Sequence, residues 1–289
     1  MKLLQQYITL LRPHQYIKNL FVFAPLLFSF KFYHMIAVEM ALLAFLCFSL
    51  LSSSVYILND IKDVEEDKQH PEKKFRPIAN GVISVTSGYL LSVLLMAVSL
   101  AASYFISLEV FGVMFFYYLL NVAYSLKLKH IPIIDIFIIA TGFVLRIFAG
   151  AKAISVEPTD WIILVTFLLS LFLALAKRRD DVILKASGLA TRKNVSGYNL
   201  EFLNGGMIIM ASVVIVSYIM YTVSPNVVER FGNRYLYLTT GYVILGILRY
   251  LQLAFVENKG GNPTKLLWKD RFLQITIILW LVTFLVMIS

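Results

Sequence analysis

The sequence predicts an all-α membrane protein of about nine transmembrane helices, and three observations carry that reading. Of its 289 residues, 59% are hydrophobic and only 15% charged, with a mean hydropathy of +0.78. A soluble domain is about half apolar and about a quarter charged. The apolar residues gather in runs close to the ~20 that cross a bilayer as a helix. Lys and Arg concentrate in alternate loops between the runs, as the positive-inside rule describes.

The N-terminal stretch, residues 1–16, places Leu3, Leu4, Tyr7, Ile8 and Leu11 on one helical face. It is expected to lie in the membrane interface. Spans follow at about 17–34, 38–58, 86–106, 109–126, 132–152, 160–176, 203–223, 235–256 and 271–288. Polar flanks cut into the first and the sixth. The longest polar stretches, about 59–84, 177–200 and 257–270, are loops. No second soluble domain is visible, so residues 1–289 read as one integral-membrane domain.

With nine spans, 20 of the 26 Lys and Arg share the side of the N-terminus, 4 lie on the other, and Arg146 and Arg249 fall within spans. That places the N-terminus and the charged loops on the cytoplasmic side of an inner membrane. The net charge of +9 suits an anionic membrane face or anionic substrates, not nucleic acid, in a chain this apolar. A lone Cys47 excludes a disulfide framework, and four scattered histidines make no zinc-helix pattern.

The chemistry-bearing stretch is NDIKDVEEDKQHPEKKFRPIANG, Asn59 to Gly81. If the second helix continues past Asn59, then Asn59, Asp63 and Asp67 stack at intervals of four, with Asp60 beside them and Glu66 near the same face. Stacked carboxylates repel, and a divalent cation offsets that repulsion. Mg²⁺ takes oxygen ligands and typically binds one or two carboxylates together with substrate phosphates. The row therefore reads as a holder for Mg²⁺ and a diphosphate; the competing reading is a solvated loop neutralised by Lys62 and Lys68. Lys73, Lys74 and Arg76 suit phosphate oxygens, although Lys73 equally suits membrane anchoring. Pro77 fixes the turn that carries Arg76.

NDIKDVEED resembles the NDxxDxxxD motif of the UbiA superfamily of intramembrane prenyltransferases. Four further blocks, LRPHQYIKNLFVFAPLLFS, HPEKKFRPIANGVIS, YSLKLKHIPIIDIFIIATGFVLRIFAGA and LALAKRRDD, resemble its decaprenyl-phosphate phosphoribosyltransferase branch in the same order. The likeness runs from about residue 10 to about residue 200. It implies a helical bundle whose central cavity opens to the cytoplasm. It also implies Mg²⁺-dependent transfer of 5-phosphoribose from 5-phosphoribosyl 1-diphosphate to a polyprenyl phosphate, releasing pyrophosphate. In the branch this serves cell-wall polysaccharide synthesis.

The resemblance assigns Asn59, Asp60, Asp63 and Asp67 to the metal. Lys18 and Asn19, at the start of the first span, are expected on donor phosphates, and Tyr124 with Lys127 matches a tyrosine–lysine element of the family. Asp135 is an ionisable group at the start of a span and is functional on that ground. Many relatives carry a second acidic motif in the loop after the sixth span. Here Asp180 and Asp181 are adjacent and cannot share one helical stripe. Lys177, Arg178 and Arg179 dominate instead and are expected to bind phosphate, with Tyr198 and Arg192 as weaker candidates. Arg146 lies about 20 Å along the fifth span and receives no role. Two other functions fit parts of the pattern. An aromatic prenyltransferase of the same fold would carry the missing second motif. A transporter would place its site at the bilayer midplane between repeats, which the one-sided charges do not suggest.

Overall fold

The computed structural model describes residues 2–70, 73–186, 197–261 and 263–288, and all their regular structure is helical. Arg192 lies outside the described residues. Among the described residues, eight helices are long and apolar enough to cross a membrane: Met35–Lys62, Val85–Ile106, Leu108–Leu126, Ile134–Ala153, Asp160–Ala186, Leu200–Val223, Leu236–Phe255 and Arg271–Ile288. The expected first span, about 17–34, is not among them. The described residues fall into two compact units, one ending at Thr159 and one starting at Asp160.

In the first unit, α1 (Lys2–Leu11) divides its apolar face. Leu10 is fully buried against Ile57, Ile78 and Ile83, with Tyr7 and Leu11 packed alongside. Leu3, Leu4 and Ile8 remain exposed, which leaves them for the interface. Arg12 then takes a left-handed conformation (φ 56°, ψ 54°), and a 3₁₀ helix, Pro13–Phe23, starts on the proline. Eleven 3₁₀ residues rise about 22 Å.

This segment and α2 (Ala24–Phe28) run beside α3 (Met35–Lys62) from its charged end to its start. Tyr16 reaches Ser53 (2.8 Å), Asn19 reaches Ser49 (3.0 Å), and Leu26 packs on Ala37 and Ala41. The expected first span is thus a tight, broken segment and not an α-helix. The segment lies close against α7 (Ile134–Ala153). A Cβ on Gly150 would lie 1.9 Å from the Val22 carbonyl oxygen. Gly150→Ala is expected to cost about 1–3 kcal/mol by overpacking, read as a lower thermal midpoint in detergent.

Helix α3 is followed by α4 (Val64–Gln69). Between α3 and α5 (Val85–Ile106), serines allow close packing. Ser54 and Ser92 donate to each other's backbone carbonyls (2.8 and 3.0 Å), and Ser99 donates to the Cys47 carbonyl (2.7 Å). Phe48, Met114, Tyr117, Leu145 and Ala149 close the core between α3, α6 (Leu108–Leu126) and α7.

In the second unit, α8 (Asp160–Ala186) extends ten residues past the expected end of the sixth span, so Lys177–Asp181 are helical. It packs against α9 (Leu200–Val223), where Gly206 admits Leu175. α10 (Pro225–Phe231), α11 (Thr240–Phe255), α12 (Pro263–Lys269) and α13 (Arg271–Ile288) complete the unit. Asp270, outside the spans, accepts the Leu273 N–H (2.9 Å) and the Arg249 guanidinium (2.7 Å). Arg249 first, then the Leu273 N–H, holds its pKa below the ordinary carboxylate value. The stability it contributes is full above that ordinary value and is lost as pH falls through the lower folded one. Asp270→Ala is expected to cost about 1 kcal/mol at neutral pH as a lost N-cap, and less in acid.

Candidate active site at the charged end of α3

Helix α3 ends at Lys62, and Asp63 links it to α4. The helical register nevertheless continues. The Asp63 N–H donates to the Asn59 carbonyl (2.9 Å) and the Asp67 N–H to the Asp63 carbonyl (2.7 Å). Backbone hydrogen bonding of period four therefore carries across the break at Asp63.

The repulsion within the acidic row is offset by three cations. Asp60, 2% exposed, accepts from Arg12 and from Arg76 (3.0 Å). Arg76 also grips Asp67 at 2.5 Å. Asp63 accepts from Lys129, and a small cleft there is lined by Asp63, Glu66, Lys129 and His130. Arg76, expected on phosphate, faces the carboxylates in this arrangement. The tyrosine–lysine element presents Tyr124 buried and Lys127 exposed beyond the end of α6, while the buried Lys129 reaches the row. Lys73 approaches His70, and Lys74 is exposed over the Phe75 ring (5.2 Å). Asp135 is fully buried in the first turn of α7.

The oxygen side chains of Asn59, Asp60, Asp63 and Asp67 have the hard-ligand chemistry that suits Mg²⁺. Among the described residues, no three acidic, histidine or cysteine side chains converge as a metal cage. The carboxylates turn to Arg12, Arg76 and Lys129, so a bound metal would compete with these cations.

A second polar group lies among the helices of the same unit. Arg146, 4% exposed, donates from Nε to Asn19 Oδ1 (2.8 Å). Its terminal nitrogens reach the Gly142 carbonyl (2.7 Å) and the Tyr117 hydroxyl (3.3 Å). Its guanidinium carbon lies 4.8 Å from the Phe48 ring centre, 5.1 Å from Tyr117 and 5.3 Å from Phe143. Such contacts are worth about 0.5–2 kcal/mol each. Asn19, 1% exposed, passes the network on to Ser49. Lys18, half-buried, feels the charges of Arg146 and Arg12 and the Tyr117 hydroxyl. Nearby His14 has its pKa pushed down, by burial first and then by Arg12 and Lys18, so it stays neutral at pH 7 and leaves the positive charge to its neighbours.

In the second unit, Arg178 is fully buried and donates to Asp181 (2.8 Å). Arg179 binds Asn204 (2.8 Å), the Ala254 carbonyl (2.6 Å) and Asn258 (3.1 Å). Both arginines thus have protein partners. Lys177 is half-buried, Tyr198 is buried beside Phe202, and the Asp180 carboxylate lies against Gly261, where a Cβ would sit 2.0 Å from its Oδ2.

Arg12 and Lys129 are absent from the sequence expectations, and Arg146 had no role in them. Arg12 is hidden by its position in an apparent anchor, and Lys129 by its neighbour Lys127. Arg146 carried a usable signal, since an ionisable residue inside a span is a candidate by default.

The UbiA prenyltransferase family matches residues 20–275. A decaprenyl-phosphate phosphoribosyltransferase of Mycolicibacterium smegmatis is 33% identical over 94% of this chain and 89% of its own length. One of Corynebacterium glutamicum is 32% identical over 93% and 82%. The fold is similar to that of a UbiA homolog from Archaeoglobus fulgidus bound to DMAPP and Mg²⁺, with a TM-score of 0.74, 20% identity and coverage of 98% and 99%. With eight membrane-length helices and a family match over most of its length, the chain is an integral membrane transferase belonging to the UbiA prenyltransferase family.

Proposed function

We propose that this enzyme transfers 5-phosphoribose from 5-phosphoribosyl 1-diphosphate to a polyprenyl phosphate, on the cytoplasmic side of an inner membrane, and so supplies a precursor for cell-envelope polysaccharide. The observation that carries the reading is the near full-length similarity, at 32–33% identity, to two decaprenyl-phosphate phosphoribosyltransferases. The charge inventory agrees with it. Such a donor brings a diphosphate and a 5-phosphate and the acceptor brings another phosphate, so many cations are needed beside the acidic row.

In this reading Asn59, Asp60, Asp63 and Asp67 would hold Mg²⁺, which, when bound, neutralises charge on the departing diphosphate. Arg76, Arg12 and Lys129 hold the row's carboxylates in the free protein. In this reading they turn to phosphate oxygens as the substrate arrives, because guanidinium and ammonium groups pair with either anion. The C1–O bond of the donor breaks toward pyrophosphate, and an acceptor phosphate oxygen forms the new bond to C1. The acceptor is already an anion at neutral pH, so no protein base is required. Lys73, Lys74 and Lys127, close to the row in sequence or by the family element, add positive charge for the substrate phosphates. Lys177, Arg178 and Arg179 are proposed to give α8 a cationic end that attracts phosphate.

The test is pyrophosphate release by purified protein in detergent with Mg²⁺. Release that needs both phosphoribosyl diphosphate and a polyprenyl phosphate supports the reading. Release only with a polyprenyl diphosphate and an aromatic acid would move the enzyme to aromatic prenyl transfer.

A further inference from the structure

Two guanidiniums share the buried Asp60, and each is carried by a segment with an apolar outer side. Arg12 follows α1, whose Leu3, Leu4 and Ile8 are exposed. Arg76 follows Phe75, which ends the 3₁₀ turn Lys73–Phe75 and is 69% exposed. The two segments share one small core. Leu10 of α1 is fully buried in a cluster with Ile78 and Ile83, just beyond Arg76, and with Ile57 of α3. Depth along α3 says what covers the outer side. Ile57 lies about 33 Å along that helix from Met35 at 1.5 Å per residue, close to the ~30 Å of hydrocarbon in a bilayer. The cluster around Leu10 is therefore level with the edge of the hydrocarbon, and Asp60, about one turn further on, is level with the headgroups. Exposed Val82, Val85 and Tyr89 lead from the same loop into α5, most of which faces outward.

We propose that α1 and the turn at Phe75 form one collar seated in the lipid at the edge of the bilayer, and that this seat holds Arg12 and Arg76 on Asp60. The lipid surface removes Leu3, Leu4, Ile8 and Phe75 from water. Leu10 ties the two segments together, so they seat as one. Seated, both guanidiniums occupy Asp60, and a metal ion that comes to the row without substrate must displace them. Unseated, the pairs loosen and the carboxylate is freer. The seat does not depend on which substrate the enzyme takes. Its effect on the metal rests on the reading of the acidic row as a Mg²⁺ holder.

The experiment uses the full chain in phospholipid nanodiscs, with a nitroxide on single introduced cysteines and the buried Cys47 replaced by alanine. Labels at Leu4→Cys and Phe75→Cys are compared with two references. Leu94→Cys lies on the outward face of α5, and Glu65→Cys carries an exposed side chain in the acidic stretch. Power saturation with oxygen, which enters the bilayer, and with an aqueous nickel chelate reads depth. The Leu4 and Phe75 labels are expected to favour oxygen, close to Leu94 and unlike Glu65. Either label behaving like Glu65 overturns the collar. The coupling is read by Mn²⁺ binding without substrate, in Phe75→Ser and in the triple variant Leu3→Ser, Leu4→Ser, Ile8→Ser. Both are expected to bind Mn²⁺ roughly two- to fivefold more tightly than the wild type, the worth of one partly exposed ion pair. Unchanged or weaker binding in both overturns the coupling. Should the triple variant not fold, Phe75→Ser and the two depth measurements still decide the matter. Labels in lipid on a protein that binds no Mn²⁺, wild type included, would keep the seat and remove the metal reading.

Discussion

Asp63→Asn is expected to lower the rate of transfer by about 10²–10³-fold while the protein stays folded. Asp63 is the most accessible carboxylate of the row with a protein partner, its side chain 19% exposed and, among the described residues, paired with Lys129 alone. Asparagine keeps the shape and one acceptor oxygen, so Lys129 retains a hydrogen bond. What disappears is the negative charge that a divalent cation requires. The check is twofold. Initial rates at saturating substrates report the loss of catalysis, and Mn²⁺ binding followed by electron paramagnetic resonance reports the metal independently of turnover. A variant with full activity and wild-type Mn²⁺ affinity would remove Asp63 from the metal set.

Arg76→Met is expected to be the most destabilising change at this end of the molecule. One guanidinium serves Asp60 and Asp67, each only 2% exposed. Asp60 keeps Arg12, but no other ion pair to Asp67 is seen among the described residues. Removing one partner of a buried pair costs about 3–5 kcal/mol, because a carboxylate is left buried without compensation. Denaturation in detergent should show that loss at neutral pH. The deficit is expected to shrink as pH falls, since an unpaired buried carboxylate has a raised folded pKa and is relieved by protonation. Arg76→Lys, with its charge kept and its fork lost, is expected to lie between. A pH-independent deficit would mean that Arg76 acts by packing, not by charge.

Much of the architecture is legible in the sequence because membrane-length apolar runs allow few alternatives. The acidic row is legible for the same kind of reason. A spacing of four survives the break at Asp63, since the i to i+4 hydrogen bonds continue through it. The segment from Pro13 to Phe28 is different. Its hydropathy resembles a span, but nothing in a linear pattern distinguishes an α-helix from a 3₁₀ helix pressed against Gly150. The cations were harder still. Lys127 and Lys129 are two residues apart, and only the short 3₁₀ turn Leu128–His130 determines which one reaches Asp63. Arg178 and Arg179 look like phosphate ligands when the stretch is read as a loop. Helix α8 runs to Ala186, however, and turns both arginines to Asp181, Asn204 and the end of α11.

The most direct test of the proposed reaction uses phosphoribosyl diphosphate carrying ¹⁴C in the ribose and ³²P in the 5-phosphate, with a polyprenyl phosphate and Mg²⁺. Phosphoribosyl transfer predicts both labels in the lipid at the donor's own ratio, with one pyrophosphate released for each product. Lipid that carries neither label, from folded protein that still releases pyrophosphate with a polyprenyl diphosphate, would contradict it.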